Sequence, residues 1–246
     1  MPEKRIIPWG PRGDEEPAGR GVAVFVLDSG ANPSHSHVRG VAGGAWLFKG
    51  PGGIIRREEG SFQDELGHGT AITAVIRHVA PAARIYAVKI FSGPHGVTVD
   101  VLETALQYAM EAGARVVNLS LGIEEDVSSR PLASLCRKAA DRGVILVASA
   151  RNGQGRNGFP ARFPDVIGVA ADGRLGERSL RYVTGEVHQC RASGWPRPLP
   201  GVPRERNFRG NSFAAARVSG MVACLLETHP GAGLDDVRRV LSNRYG

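Results

Sequence analysis

Arg20-Gly-Val-Ala-Val-Phe-Val-Leu-Asp28-Ser-Gly30 is an unbroken apolar run of β-formers that ends in a carboxylate and a turn glycine. A half-buried strand alternates apolar and polar residues. A run that is apolar on both sides predicts a parallel strand covered by helices above and below. Asp28 then falls at the C-terminal end of the strand, the edge where open α/β sheets collect their ligands. An aspartate there also suits a cap for the next turn, so position alone assigns it no chemistry.

Outward from this run, strands and helices alternate. Ala83–Ile90 reads as a second strand, Arg115–Gly122 as a third, Val144–Ala150 as a fourth and Asp165–Ala170 as a fifth. Between them, residues 97–112 and 131–142 carry helical spacing and stop at Gly113 and Gly143, each suited to a left-handed C-terminal cap. Residues 171–210 read as short strands and loops, and Val237–Asn243 as a last helix. This order predicts an α/β fold, a doubly wound, mostly parallel sheet with helices on both faces and right-handed crossovers. Residues 1–20, rich in Pro, Gly and charge, read as an extended arm ahead of a single domain over 21–246.

Two further junctions share the character of Asp28. In Glu65-Leu-Gly-His68-Gly-Thr70 a histidine bracketed by glycines opens a helical pattern. In Phe208-Arg-Gly-Asn-Ser-Phe-Ala-Ala-Ala-Arg-Val-Ser-Gly220 a glycine and a hydroxyl residue precede a helix of small side chains, suited to packing in the middle of a protein. Ser212 would sit in that helix's first turn, where free N–H groups favour a nearby negative charge. Taken alone, the serine reads as an ordinary N-cap. Together, Asp28, His68 and Ser212 supply a hydroxyl nucleophile, an imidazole base and a carboxylate that orients the base.

These motifs resemble those of the subtilisin-like serine peptidases, and the resemblance covers almost the whole chain. Val22–Gly30 looks like the family's aspartate strand and His68-Gly-Thr70 like its histidine motif. Gly210–Gly220 is similar to the serine motif Gly-Thr-Ser-Met-Ala-Ala-Pro-His-Val-Ala-Gly. The resemblance implies a catalytic set of Asp28, His68, Ser212 and Asn152. Asn152 lies in Ala148-Ser-Ala-Arg-Asn-Gly153 and would donate to the oxyanion. It also implies that Ser120, Leu121 and Gly122 on one side and His95, Gly96 and Val97 on the other hold an extended peptide substrate, with Gly158 in the turn beyond the specificity pocket.

The departures are as informative. Arg151 stands before the oxyanion asparagine, Arg209 before the serine motif, Asn211 in place of threonine, and Ala216-Arg217 in place of Pro-His. Arg151, Arg156 and Arg209 could place positive charge at the cleft and favour acidic substrates. The acidic ligand of the family's calcium site falls at His37, and the calcium loop after the histidine helix is missing. His35 and His37 alone make a weak transition-metal site, so no metal and no cofactor are expected. Ile7-Pro-Trp-Gly10 resembles the start of a mature subtilase, which implies no pro-domain ahead of it. A peptidase active from the start would need narrow specificity, such as processing a dedicated precursor or leader, or restraint by an inhibitor or precursor partner.

Composition narrows the classes. The 246 residues, 42% hydrophobic and 22% charged, suit a globular domain with a substantial core. No secretory signal or membrane-length apolar run is visible, so no membrane association and a cytoplasmic location are expected. Cys136, Cys190 and Cys224, odd in number and without metal spacing, give no disulfide framework. The net charge is +7, and all but four (Lys4, Lys49, Lys89, Lys138) of the 31 basic residues are arginine. They are scattered and carry no nucleic-acid motif, so no nucleic-acid partner is expected. The reading is a serine endopeptidase. The second reading is a catalytically inactive subtilase-fold module that binds peptides.

Overall fold

The structure, a computed structural model, describes residues 16–91, 96–122, 129–151 and 158–246. Among the described residues nine strands form one sheet in the order β3-β2-β4-β1-β5-β6-β7-β9-β8. They are β1 (Ala23–Asp28), β2 (Gly43–Lys49), β3 (Ile55–Glu59), β4 (Arg84–Lys89), β5 (Val116–Leu119), β6 (Ile145–Ser149), β7 (Ile167–Ala171), β8 (Leu180–Tyr182) and β9 (Cys190–Ala192). Neighbours are parallel except at the two ends, where β3 runs antiparallel to β2 and β8 to β9.

Among the described residues five α-helices cover the sheet: α1 (His68–Val79), α2 (Val99–Glu111), α3 (Ser129–Asp141), α4 (Asn211–Thr228) and α5 (Leu234–Tyr245). Side chains alternate along β1, so Val24 and Val26 join the core under α1, α4 and α5, while Phe25 and Leu27 join the core under α2 and α3. Both faces are therefore buried, which is why the run is apolar throughout. Asp28 is the next residue on the α1/α4 side, and it is fully buried at the strand's end. Helix α4 is buried along Ser212–Leu226, as its small side chains predict.

The parallel core strands and their helices fall within a few residues of the sequence expectation. Strands β2 and β3 were not expected. β2 opens on two glycines, and β3 (Ile-Arg-Arg-Glu-Glu) is an exposed edge with no apolar alternation to announce it. Residues 1–15 of the expected arm lie outside the described residues. The amides of Ala18, Gly19 and Arg20 donate to the Glu227 carboxylate at 2.6, 2.7 and 3.0 Å, tying this end of the domain to the C-terminal end of α4.

Candidate active site

Strand β1 and the first turns of α1 and α4 converge at one end of the sheet. His68 is the first residue of α1, and its N-cap Gly67 has φ 78°. Ser212 is the second residue of α4, after Gly210 at φ 144°. Both caps lie in the left-handed region that favours glycine. The N-cap reading of Ser212 is thus corrected. Gly210 takes the cap, because the chain must turn sharply into a buried helix, and Ser212 is left within the first turn.

His68 Nδ1 donates to Asp28 Oδ1 at 2.8 Å. A carboxylate only accepts, so the proton sits on Nδ1 and Nε2 remains the basic nitrogen. Burial pulls the His68 pKa down. The adjacent Asp28 charge and its hydrogen bond, with the Asp64 charge behind, outweigh that and raise it above its ordinary value. The imidazole meets two phenyl rings edge to face, Phe208 and Phe213 at centroid distances of 5.9 and 5.6 Å, and those two rings stack on one another at 6.2 Å.

Ser212 and Ser120 clasp one another. Ser212 Oγ donates to Ser120 O, and Ser120 Oγ donates to Ser212 O, both at 3.3 Å. Asn118 Nδ2 donates to Ser120 Oγ at 2.8 Å and its Oδ1 accepts from Ser219 Oγ at 2.9 Å, so the chain of bonds returns to α4. The Ser212 hydroxyl therefore points to a carbonyl rather than to His68.

Each junction has a further organiser that the sequence reading did not single out as such. Asp64 Oδ1 accepts from Ser29 Oγ and from the Leu66 and Gly67 amides, all at 2.9 Å, and Oδ2 accepts from Thr70 N and Oγ1 at 2.8 and 2.6 Å. Burial raises the Asp64 pKa, but these donors outweigh it and hold it below the ordinary carboxylate value. Ser29 Oγ also contacts Asp28 Oδ1 at 3.3 Å and accepts from Gly69 N, linking both carboxylates to the turn that carries His68. On the serine side, Asn211 Oδ1 accepts from Ala171 N at 2.7 Å. Its Nδ2 donates to Ala150 O and Arg151 O at 3.0 and 3.1 Å. The threonine-to-asparagine departure thus pins the serine turn to the ends of β6 and β7. Arg217 is not a surface charge. It is 1% exposed and donates to the carbonyls of Ser193, Glu177 and Trp195.

Among the remaining expected site residues, Gly122 packs beside Arg151, Leu121 is half-buried, and Gly158 is buried. Gly96 and Val97 lie in the unpaired segment ahead of α2. Asn152, His95 and Arg156 lie outside the described residues. The surroundings of His37 do not suit calcium, which takes six to eight oxygen ligands. Helix α1 runs unbroken into the turn before β4, and the space beside His37 is lined by Arg39, Arg77 and Arg197. Among the described residues no group of three or more His, Cys, Asp or Glu side chains could hold a metal.

The sheet order, the paired Asp28 and His68, and a serine opening a buried helix define a subtilisin-like α/β protein. The model of the subtilase family matches residues 19–245, and the chain belongs to that family. It is similar to alkaline elastase YaB of Bacillus sp. (strain YaB), 28% identical over 97% of this chain and 65% of the elastase. It is also similar to subtilisin Savinase of Lederbergia lenta, 29% identical over 96% of this chain and 90% of Savinase. Among solved structures, a cold-adapted subtilisin-like serine proteinase superposes with a TM-score of 0.72 at 21% identity, over 92% of this chain and 83% of that one. The chain thus spans just under two thirds of the elastase.

Proposed function

We propose that the chain is a serine endopeptidase that hydrolyses peptide bonds through an acyl-enzyme. The observation that carries this is the buried Asp28 carboxylate bonded to His68 Nδ1, at the end of the sheet where Ser212 opens α4. His68 Nε2 takes the Ser212 proton as Oγ attacks the scissile carbonyl. Asp28 holds the required tautomer and favours the imidazolium that forms. His68 then returns the proton to the leaving amine, and water, activated the same way, releases the acyl group. The Ser212 amide in the first turn of α4, together with Asn152, would carry the oxyanion. An extended peptide would lie along residues 120–122 and 96–97.

The physiological role we infer is cytoplasmic processing of a dedicated peptide precursor. Cys136, Cys190 and Cys224 are free and buried, which suits a reducing compartment.

One observation favours a second reading. The Ser212 hydroxyl engages Ser120 O rather than His68, and a chain that kept this bond with peptide in place would bind without cleaving. Intact mass after fluorophosphonate treatment decides between the two. A peptidase takes up one adduct, absent from Ser212→Ala. A folded protein that takes up none is the peptide-binding module.

A further inference from the structure

Beyond the catalytic end, one face of α1 borders two adjoining hollows. The first, about 450 Å³, begins beside His68 at Gly67 and Phe208 and continues past Thr70, Ala71 and Ala74. The second, about 560 Å³, is bordered by His37, Arg39, Arg77, His78, Arg84 and Arg197, with no Asp or Glu in its wall. His37 and Arg197 line both hollows, so the two form one trough, of mixed lining near the catalytic histidine, where Phe208, Ala71 and Ala74 stand with Asp64 and Glu65, and cationic at its far end.

The cations of the far hollow are not neutralised from within. Among the described residues Arg39, Arg77, Arg84 and Arg197 make no ion pair. Arg77 is fixed by the carbonyls of Val38, Gly40, Pro81 and Ala83. Arg39 Nε donates only to Ser36 O, and Arg84 donates to the Tyr86 hydroxyl. Arg197 Nε is buried without an acceptor. An unpaired buried donor is costly to keep and marks a place where an acceptor is missing. Two nearby carboxylates are committed elsewhere, Asp64 to its own turn and Glu65 to Lys89 at 3.2 Å, while Glu177 stands 4.0 Å from His78 of the hollow's wall. Burial first, then the Arg197 charge, lowers the pKa of both His37 and His78, and at His78 the opposing Glu177 charge does not outweigh them.

We propose that this trough seats the leaving-group side of the substrate and that its far end selects an acidic segment there. The inference rests on the peptidase reading for its direction, since the hollow that begins at Gly67 and Phe208 includes none of residues 96–97 and 120–122, which that reading gives to the acyl side. Nine helical residues separate His68 from Arg77, about 14 Å of rise. An extended chain covers that in about four residues. The preferred substrate therefore carries Asp or Glu beginning about four residues beyond the scissile bond.

Two measurements test this with the triple variant Arg39→Asn/Arg84→Gln/Arg197→Gln. Asparagine suits the left-handed φ of 56° at residue 39, and Arg77 is left in place to hold its carbonyls. The control, Arg137→Gln/Arg142→Gln/Arg239→Gln, removes the same charge from exposed positions elsewhere. The first measurement is cleavage of a peptide library with both sides of each cut read by mass spectrometry. The wild type and the control are expected to enrich Asp and Glu about four to six residues after the cut, and the triple variant is expected to lose that enrichment with its acyl-side profile unchanged. The second is fluorescence anisotropy with Ser212→Ala and a labelled peptide ending in three aspartates or three asparagines, which reads the trough even if the chain cleaves nothing. The aspartate peptide is expected to bind about tenfold tighter at low salt, less so in 0.5 M NaCl, and equally to its asparagine counterpart once the three arginines are gone. No acidic preference in the wild type, or one that survives the triple variant or vanishes equally in the control, overturns the proposal. Absence of cleavage and of a fluorophosphonate adduct, with the binding difference intact, would sink the peptidase reading and leave the cationic site standing.

Discussion

His68 and Ser212 each sit in the first turn of a helix that starts at a glycine, yet the two turns are held by opposite chemistry. The holder at His68 is the carboxylate of Asp64, which accepts five hydrogen bonds and adds to the charge that raises the histidine pKa. The holder at Ser212 is the amide of Asn211, which accepts from Ala171 N, donates to Ala150 O and Arg151 O, and carries no charge. The difference follows what each turn must stabilise. A cation forms on the imidazole when the serine gives up its proton, so negative charge beside it is favourable. An oxyanion forms beside Ser212, and a carboxylate there would oppose it.

The strongest way to break this comparison is to remove the charge that touches the imidazole. Asp28→Asn keeps the shape but offers an amide to Nδ1 and favours the wrong tautomer. A fall of about 10⁴-fold in kcat with little change in KM is expected, the scale this exchange has in triad peptidases. Steady-state kinetics on one peptide substrate measure it, and a loss under tenfold would mean that Asp28 merely caps its turn.

Putting a charge where the comparison says none belongs gives a smaller effect. Asn211→Asp turns a carboxylate toward the carbonyls of Ala150 and Arg151, which now receive its N–H groups, and sets negative charge next to the oxyanion. We expect kcat/KM to fall about 10²-fold. Asn211→Thr, which restores the residue of the family motif but reaches fewer partners, should lose less. Equal losses in the two variants would show that Asn211 acts by geometry alone.

How much of this was legible in the sequence depends on where each residue's partners lie. Asp28, His68 and Ser212 stood out because each ends or opens an element whose periodicity is plain, and because glycines mark the two turns. The core strands were legible for the same reason, since burial on both faces leaves unbroken apolar runs. Asp64 was not. An aspartate in a polar loop looks like any turn residue, and its donors, Ser29 and Thr70 among them, meet it only in the fold. Arg217 and Arg77 misled in the other direction. An arginine reads as a solvated charge, and only the carbonyls gathered from distant loops let these two lie inward. The edge strand β3 carried no signal because four of its five residues face solvent, and β2 carried little because it opens on two glycines.

The finest test is Asp64→Asn, which keeps the size of the holder and removes its charge. Two consequences follow with opposite pH signatures. Activity needs neutral His68, so kcat/KM rises as pH passes upward through a His68 pKa that lies above its ordinary value. Removing the Asp64 charge lowers that pKa, and the acid limb of the profile should move to lower pH by less than one unit. Stability changes elsewhere on the scale. The Asp64 pKa is depressed in the folded state, so its stabilisation is fully present above the unfolded value of about 4 and is lost as pH falls through the folded value. The variant should therefore be less stable than the wild type by about 1–3 kcal/mol at pH 7, by urea titration, with the gap closing below about pH 4. An acid limb that does not move, in a variant destabilised as expected, would reduce Asp64 to a cap of α1 and leave Asp28 alone to set the charge at His68.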